Sequence, residues 1–117
     1  MAKIFDVQSP DYTEMGVTLA GTKAAGAFDT LNEVNGFYMV GGVATEKVTF
    51  VTKARKVKCV KKTGVVTAPG EAAYYITGTV TNVASGAILI GSFIEDAATA
   101  VAETLIDFDG MLAFAKA

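Results

Sequence analysis

The chain has 117 residues, enough for one domain, and 51% of them are hydrophobic, so it carries the material of a core and is not disordered by composition. Its net charge of −2 argues against a general affinity for nucleic acid, and no run of eighteen apolar residues is present to form a membrane-spanning helix. It contains one cysteine, Cys59, and no histidine, which leaves no intrachain disulfide, no Ser-His-Asp triad and no Cys-His dyad, and makes a zinc site a poor fit.

The first sixteen residues mix Ile4, Phe5, Val7, Tyr12 and Met15 with Asp6, Gln8, Ser9, Pro10, Asp11 and Glu14 in neither helical nor strand period. They read as an extended arm, residues 1–16, ahead of a single β domain, residues 17–117. The N-terminus has one positive charge and no apolar run behind it, unlike a signal peptide, so the expected site of synthesis is a cytoplasm.

Beyond the arm, turn dipeptides punctuate short runs rich in Val, Ile, Thr, Tyr and Phe, the pattern of an all-β sandwich or small barrel. Asn35-Gly36 predicts a two-residue hairpin turn leading into a strand over Phe37–Val40. Lys47–Thr52 alternates with Val48 and Phe50 on one face, and Arg55–Lys61 alternates with Val57 and Cys59 on one face and Lys56 and Lys58 on the other. Ala72–Thr77, Thr79–Val83 and Ala87–Phe93 follow with short connections, Gly78 serving as a hairpin turn. The almost continuously apolar Ala87–Phe93 predicts a strand buried on both faces. Val101–Phe108 predicts the last strand, with Ile106 and Phe108 inward. The Ala-rich stretch Ile94–Glu103 reads as a helical turn or a loop, and Gly110–Ala117 as a short terminal helix.

Six of the ten positive residues fall in one run, Lys53, Arg55, Lys56, Lys58, Lys61 and Lys62, while acid gathers late, at Glu95, Asp96, Glu103, Asp107 and Asp109. A basic face and an acidic face on one small domain can pair between copies, with charge setting register and partner choice; the bland alternative is a solvated strand edge guarded by lysines. Asp107-Phe108-Asp109-Gly110 has the look of a calcium-loop fragment, but no ligand follows at the required spacing. The glycines form no phosphate-cradling motif. Cys59 reads as a small core residue, and of Tyr74 and Tyr75 one reads as core and the other as an interface anchor. No pair of carboxylates stands out as general acid and base, so no enzyme is expected and no cofactor is implied.

Residues 70–109 resemble the C-terminal halves of the capsid decoration, or cement, proteins of tailed bacteriophages. The matching elements are Gly70-Glu71-Ala72-Ala73-Tyr74-Tyr75-Ile76, the hairpin Gly78-Thr79-Val80-Thr81, Ser85-Gly86 leading into Ile90-Gly91, the segment Glu95-Asp96-Ala97-Ala98, and Leu105–Asp109. Gly41-Gly42-Val43-Ala44 resembles that family's early glycine-rich turn, whereas the basic run 53–62 stands where members have a Gly-Val-Phe strand ending in Pro-Lys. The resemblance implies an all-β, small β-barrel or β-sandwich domain (β-tulip-like) with an extended arm and at most one short helix. It also implies a homotrimer on the outside of a virion capsid, bound to the major capsid protein and stabilising the expanded shell against internal DNA pressure, with no nucleic-acid or membrane partner. On that reading Ile4, Phe5, Val7, Tyr12 and Met15 form a capsid-contact arm, and Arg55, Lys56, Lys58, Lys61, Lys62, Tyr75, Asp107 and Asp109 a subunit or capsid interface. The alternatives are another virion subunit, of tail-tube or head-completion type, and a small β-rich binding module.

Overall fold

The computed structural model describes residues 3–110, and within them the chain is all-β, with nine strands and no helix. In chain order these are β1 (Phe5–Val7), β2 (Tyr12–Thr18), β3 (Phe28–Leu31), β4 (Val34–Tyr38), β5 (Lys47–Val60), β6 (Ala72–Ile76), β7 (Thr79–Thr81), β8 (Ile88–Phe93) and β9 (Glu103–Asp109). They form one antiparallel sheet in the order β3-β4-β5-β9-β8-β6-β7, curled into a half-barrel. The curl brings β7, last in that order, back to the spine: Lys61 forms a parallel bridge with Val80, and the Lys62 N–H donates to the Val80 carbonyl at 2.9 Å.

β5 is that spine. Over its 14 residues it carries β4 and then β9 along one side, and β2 and then β1 along the other. The two alternating runs read from the sequence are thus one strand. The parity of its inward residues changes because Arg55 and Lys56 together oppose the single residue Asp107 of β9, a β-bulge: Ala54 packs in the larger core cluster before it, Val57 and Cys59 after it, while Val48 and Phe50 nearer the start of the strand pack in a separate, smaller cluster.

The arm is extended, but it lies on its own domain. Phe5 pairs with Cys59 and is 1% exposed, stacked on Phe37 at 5.2 Å and set edge-on to Phe108 at 5.4 Å. A boundary at residue 16 falls inside β2, which runs beside β5 from Ala54 to Lys47. The physical cause is the Phe5 ring: an aromatic at the sheet's open end gains more from burial than from an excursion into solvent. Two apolar clusters result. The larger joins Phe5, Phe37, Val57, Ile90, Phe93, Ile106 and Phe108; the smaller joins Leu19, Tyr38, Val48 and Phe50.

Two further expectations change, and an open one is decided. The Asn35-Gly36 pair lies inside β4 instead of turning it; the turn sits at Asn32-Glu33, with Asn32 at φ 59°. Gly36 is needed within the strand because a Cβ there would lie 2.5 Å from the Phe50 ring and 2.4 Å from the Val51 carbonyl oxygen. β8 is not buried throughout: Ile90 and Phe93 enter the core, while Ile88 remains 37% exposed. Ile94–Glu103 holds a loop and a turn and no helix before β9 begins at Glu103. The terminal helix read over Gly110–Ala117 lies, apart from Gly110, outside the described residues. The Thr77-Gly78 turn is as read, both residues having positive φ, 41° and 80°, as a tight hairpin between β6 and β7 requires.

A permuted repeat organises these parts. Leu19 and Thr45–Glu46 exchange two backbone hydrogen bonds, both 2.8 Å, and Phe93 does the same with Gly70–Glu71, both 2.8 Å. Four residues on from each of these, Lys23 pairs with Gly42's carbonyl and N–H, and Ala97 pairs likewise with Thr67 across the remaining corner. The carboxylates of Glu46 and Glu71 each accept, at 2.7 Å, from the N–H three residues earlier, Val43 and Ala68. The ribbon β2–β5 therefore corresponds to the ribbon β8–β6, with Thr18↔Lys47 matching Ser92↔Ala72. The two segments of each unit occur in opposite order along the chain.

Candidate functional site

The bulge in β5 creates the most structured surface feature. Lys56 adopts φ 53°, a left-handed conformation that costs a lysine energy and that its surroundings hold in place. Its N–H donates to the Asp107 carboxylate at 3.2 Å, and its carbonyl accepts from the Gln8 N–H at 2.9 Å. The Arg55 N–H donates to the Asp11 carbonyl at 3.2 Å. The Ser9-Pro10 crossing between β1 and β2 thus frames the bulge on one side and β9 on the other.

Two open grooves flank Arg55 on this outer face, and both are bordered by Asp11, Arg55 and Asp107. The larger, of ≈ 690 Å³, also takes in Tyr12, Lys53 and Asp109; the smaller, of ≈ 550 Å³, takes in Lys56 and Ile94. Arg55 and Lys56 are exposed, and Tyr12 is 36% exposed at the groove wall.

The expected separation into a basic and an acidic face does not occur. β5 and β9 are neighbours, so the basic run and the late acids interleave on one surface: Lys53 is the register partner of Asp109, and Lys58 forms an ion pair with Glu103 at 3.5 Å. The surface presents mixed charge at short spacing, which suits recognition of a particular complementary surface over a diffuse field.

Other residues read as interface lie elsewhere. Lys61 is 3% exposed, and its ammonium donates to the carbonyls of Lys62, Val65 and Thr99, gathering two turns under the end of β5. It shares inward parity with Val57 and Cys59, which is why it leaves the charged face. Lys62 is exposed but sits in the turn beyond the strand. Tyr75 is half-buried and stacks on Phe28 at 4.0 Å, with Phe5 at 6.0 Å, so its ring serves the core margin. Of the arm residues, Ile4 and Val7 pack against the larger cluster with Phe5, while Tyr12 and Met15 remain exposed. Asp107 to Asp109 run straight along β9, not round a loop. Cys59 is buried, and burial together with Glu103 and Glu95 pushes its thiol up to about 12.

Sequence reasoning missed a second exposed feature. Val66, Val83 and Val101 are 58%, 54% and 41% exposed beside turns at the end of the half-barrel that Lys61 gathers. The available signal was a lone valine on the solvent side of a turn, as in Asn82-Val83-Ala84-Ser85-Gly86.

Comparison of the chain with family models, with curated proteins and with solved structures gives no match in any of the three.

Proposed function

We propose that the chain is a capsid decoration protein: a homotrimer on the outside of an expanded virion shell that contacts neighbouring major capsid subunits and holds them together. The observation that carries this reading is the Arg55 ridge between two open grooves on the outer face of the sheet. The ridge's N–H groups are fixed from both sides, by the Asp11 carbonyl and by the Asp107 carboxylate, and the ridge is backed by the aromatic core, so docking a protein surface against it orders little that is not already ordered. The resemblance in residues 70–109 supplies the nature of the partner.

On this reading the work is binding energy delivered at many equivalent sites. Arg55 and Tyr12 are residue types that anchor protein interfaces, and they lie together on the larger groove. Asp11, Asp107 and Asp109 beside them select an orientation by attracting and repelling charge on the shell. A stiff sheet seated across a joint between capsid subunits resists their separation.

Co-sedimentation with purified shells built from the partner capsid protein tests the proposal. The wild-type chain is expected to saturate expanded shells and not unexpanded ones, and Arg55→Glu and Tyr12→Ala are each expected to weaken binding tenfold or more. Wild-type protein that stays in the supernatant with expanded shells would sink the proposal.

A further inference from the structure

The permuted repeat shows what one part of the surface lacks. β8 pairs with β6 along one edge and with β9 along the other, through Gly91↔Phe108, Ser92↔Asp107 and Phe93↔Ile106. Its counterpart β2 pairs with β5 along one edge, and among the described residues no strand covers the other. The reason is local. β9 follows its turn with seven straight residues, whereas β3, which follows the corresponding turn, ends after four and folds back at Asn32-Glu33 into β4. The edge of β2 is left bare over Tyr12–Thr18, with six of its seven residues exposed.

Two common guards of such an edge are missing, since β2 carries no lysine and no proline; its one charge is Glu14, and its pairing with β5 shifts register once, between Thr13 and Glu14. Its sequence is compatible with itself. In an antiparallel pair of two β2 strands centred on Met15, Tyr12 lies opposite Thr18, Thr13 opposite Val17, and Glu14 opposite Gly16 of the other copy, with no like charges facing. Gly16 is where the charge complement lies. With no side chain of its own it admits Lys47 from β5: a Cβ on Gly16 would stand 2.9 Å from Lys47 Cε and 3.7 Å from its Nζ. Directly opposite residues point to the same face, so Glu14 of one copy meets the Lys47 ammonium of the other, twice about the axis. Within the described residues of one chain, neither Glu14 nor Lys47 has an ion-pair partner.

We propose that two copies of the chain join edge to edge through β2, antiparallel about a two-fold axis at Met15, with Glu14 of each copy paired to Lys47 of the other. This contact is isologous, so it gives a two-chain unit, or an even-numbered assembly where a second, three-fold contact is also present. It does not depend on capsid binding, and its test uses no capsid.

The test is the native mass of the full chain by light scattering from micromolar to millimolar concentration, for wild type, Glu14→Lys, Lys47→Glu and the combined exchange. Wild type is expected at the mass of two chains or a higher even number. Each single exchange, which sets like charges opposite one another, is expected to shift the association at least tenfold toward the dissociated form, and the combined exchange to restore it. Circular dichroism of each variant, both positions being exposed, checks that the domain is intact. A wild-type monomer or lone trimer, single exchanges that associate as wild type does, or a combined exchange that fails to recover association would overturn the proposal.

Discussion

The Tyr38 hydroxyl donates to the Asp29 carboxylate at 2.6 Å, joining the ring of the smaller cluster to an ion pair with Lys23 at 3.4 Å. Burial pushes the Asp29 carboxyl up, but the Tyr38 hydroxyl, the Thr30 N–H and Lys23 outweigh it, and the net direction is down from the ordinary 3.8. Tyr38 is pushed up to about 12, first by burial and then by its bond to Asp29. The two shifts set opposite pH limits. A depressed carboxyl contributes stability above its unfolded value that is lost as pH falls through the folded one, so wild type is expected to lose stability below 3.8 in a way Asp29→Asn does not. A raised hydroxyl contributes stability that is complete below 10.0 and lost as pH rises through about 12. Tyr38→Phe should therefore cost about 1–2 kcal/mol at neutral pH, and the difference from wild type should shrink across that alkaline window. Urea titrations over pH read both limbs.

Phe5 makes the arm part of the fold. Phe5→Ala is expected to cost about 3–5 kcal/mol, the range for truncating a buried aromatic. Removal of residues 1–16 should then abolish cooperative unfolding, since it also strips β2 from β5. A truncated chain that melts as sharply as the full one would contradict the packing described here.

Lys61→Met keeps the length of the side chain and deletes the ammonium. The carbonyls of Lys62, Val65 and Thr99 then lose a shared buried donor. The expected loss is about 2–4 kcal/mol, whereas Lys58→Met, at an exposed ion pair, should cost under about 1 kcal/mol. Thermal unfolding of the two variants side by side makes the comparison.

Gly110 closes the seam where β4 and β9 meet end to end beside β5. Its N–H donates to the Thr52 carbonyl at 2.8 Å, and its carbonyl accepts from Asn35 at 3.2 Å. A Cβ there would stand 1.7 Å from the Asn35 carbonyl oxygen. Gly110→Ala is expected to destabilise the domain by about 3 kcal/mol or more, and hydrogen exchange should show the loss first at Asn35.

The second half of the fold was legible because its local signals agree. Thr77-Gly78 sits between alternating runs of the right length, and nothing in the core competes with a turn there. Asn35-Gly36 carries an equally strong turn signal, but the Phe50 ring requires a residue without a side chain at position 36, a demand made from another strand. The bulge was half visible: two consecutive charged residues, Arg55 and Lys56, interrupt the alternation, yet only the pairing with Asp107 shows that the strand continues through them. Lys61 could have been separated from Lys58 by parity alone. The groove at Arg55 could not have been read, since it joins residues 11, 55 and 107, which no local pattern relates.

The position of β5 has a further consequence, for synthesis. Its second half needs β1, already made, on one side and β9, the last strand described, on the other. A ribosome-bound chain that ends anywhere before residue 103 holds a long strand with one side unsatisfied and the ring of Phe5 lacking the Phe108 edge that covers it. Folding is therefore delayed until the whole of β9 has left the exit tunnel, and an early-terminated chain is a template for aggregation in place of a smaller stable domain.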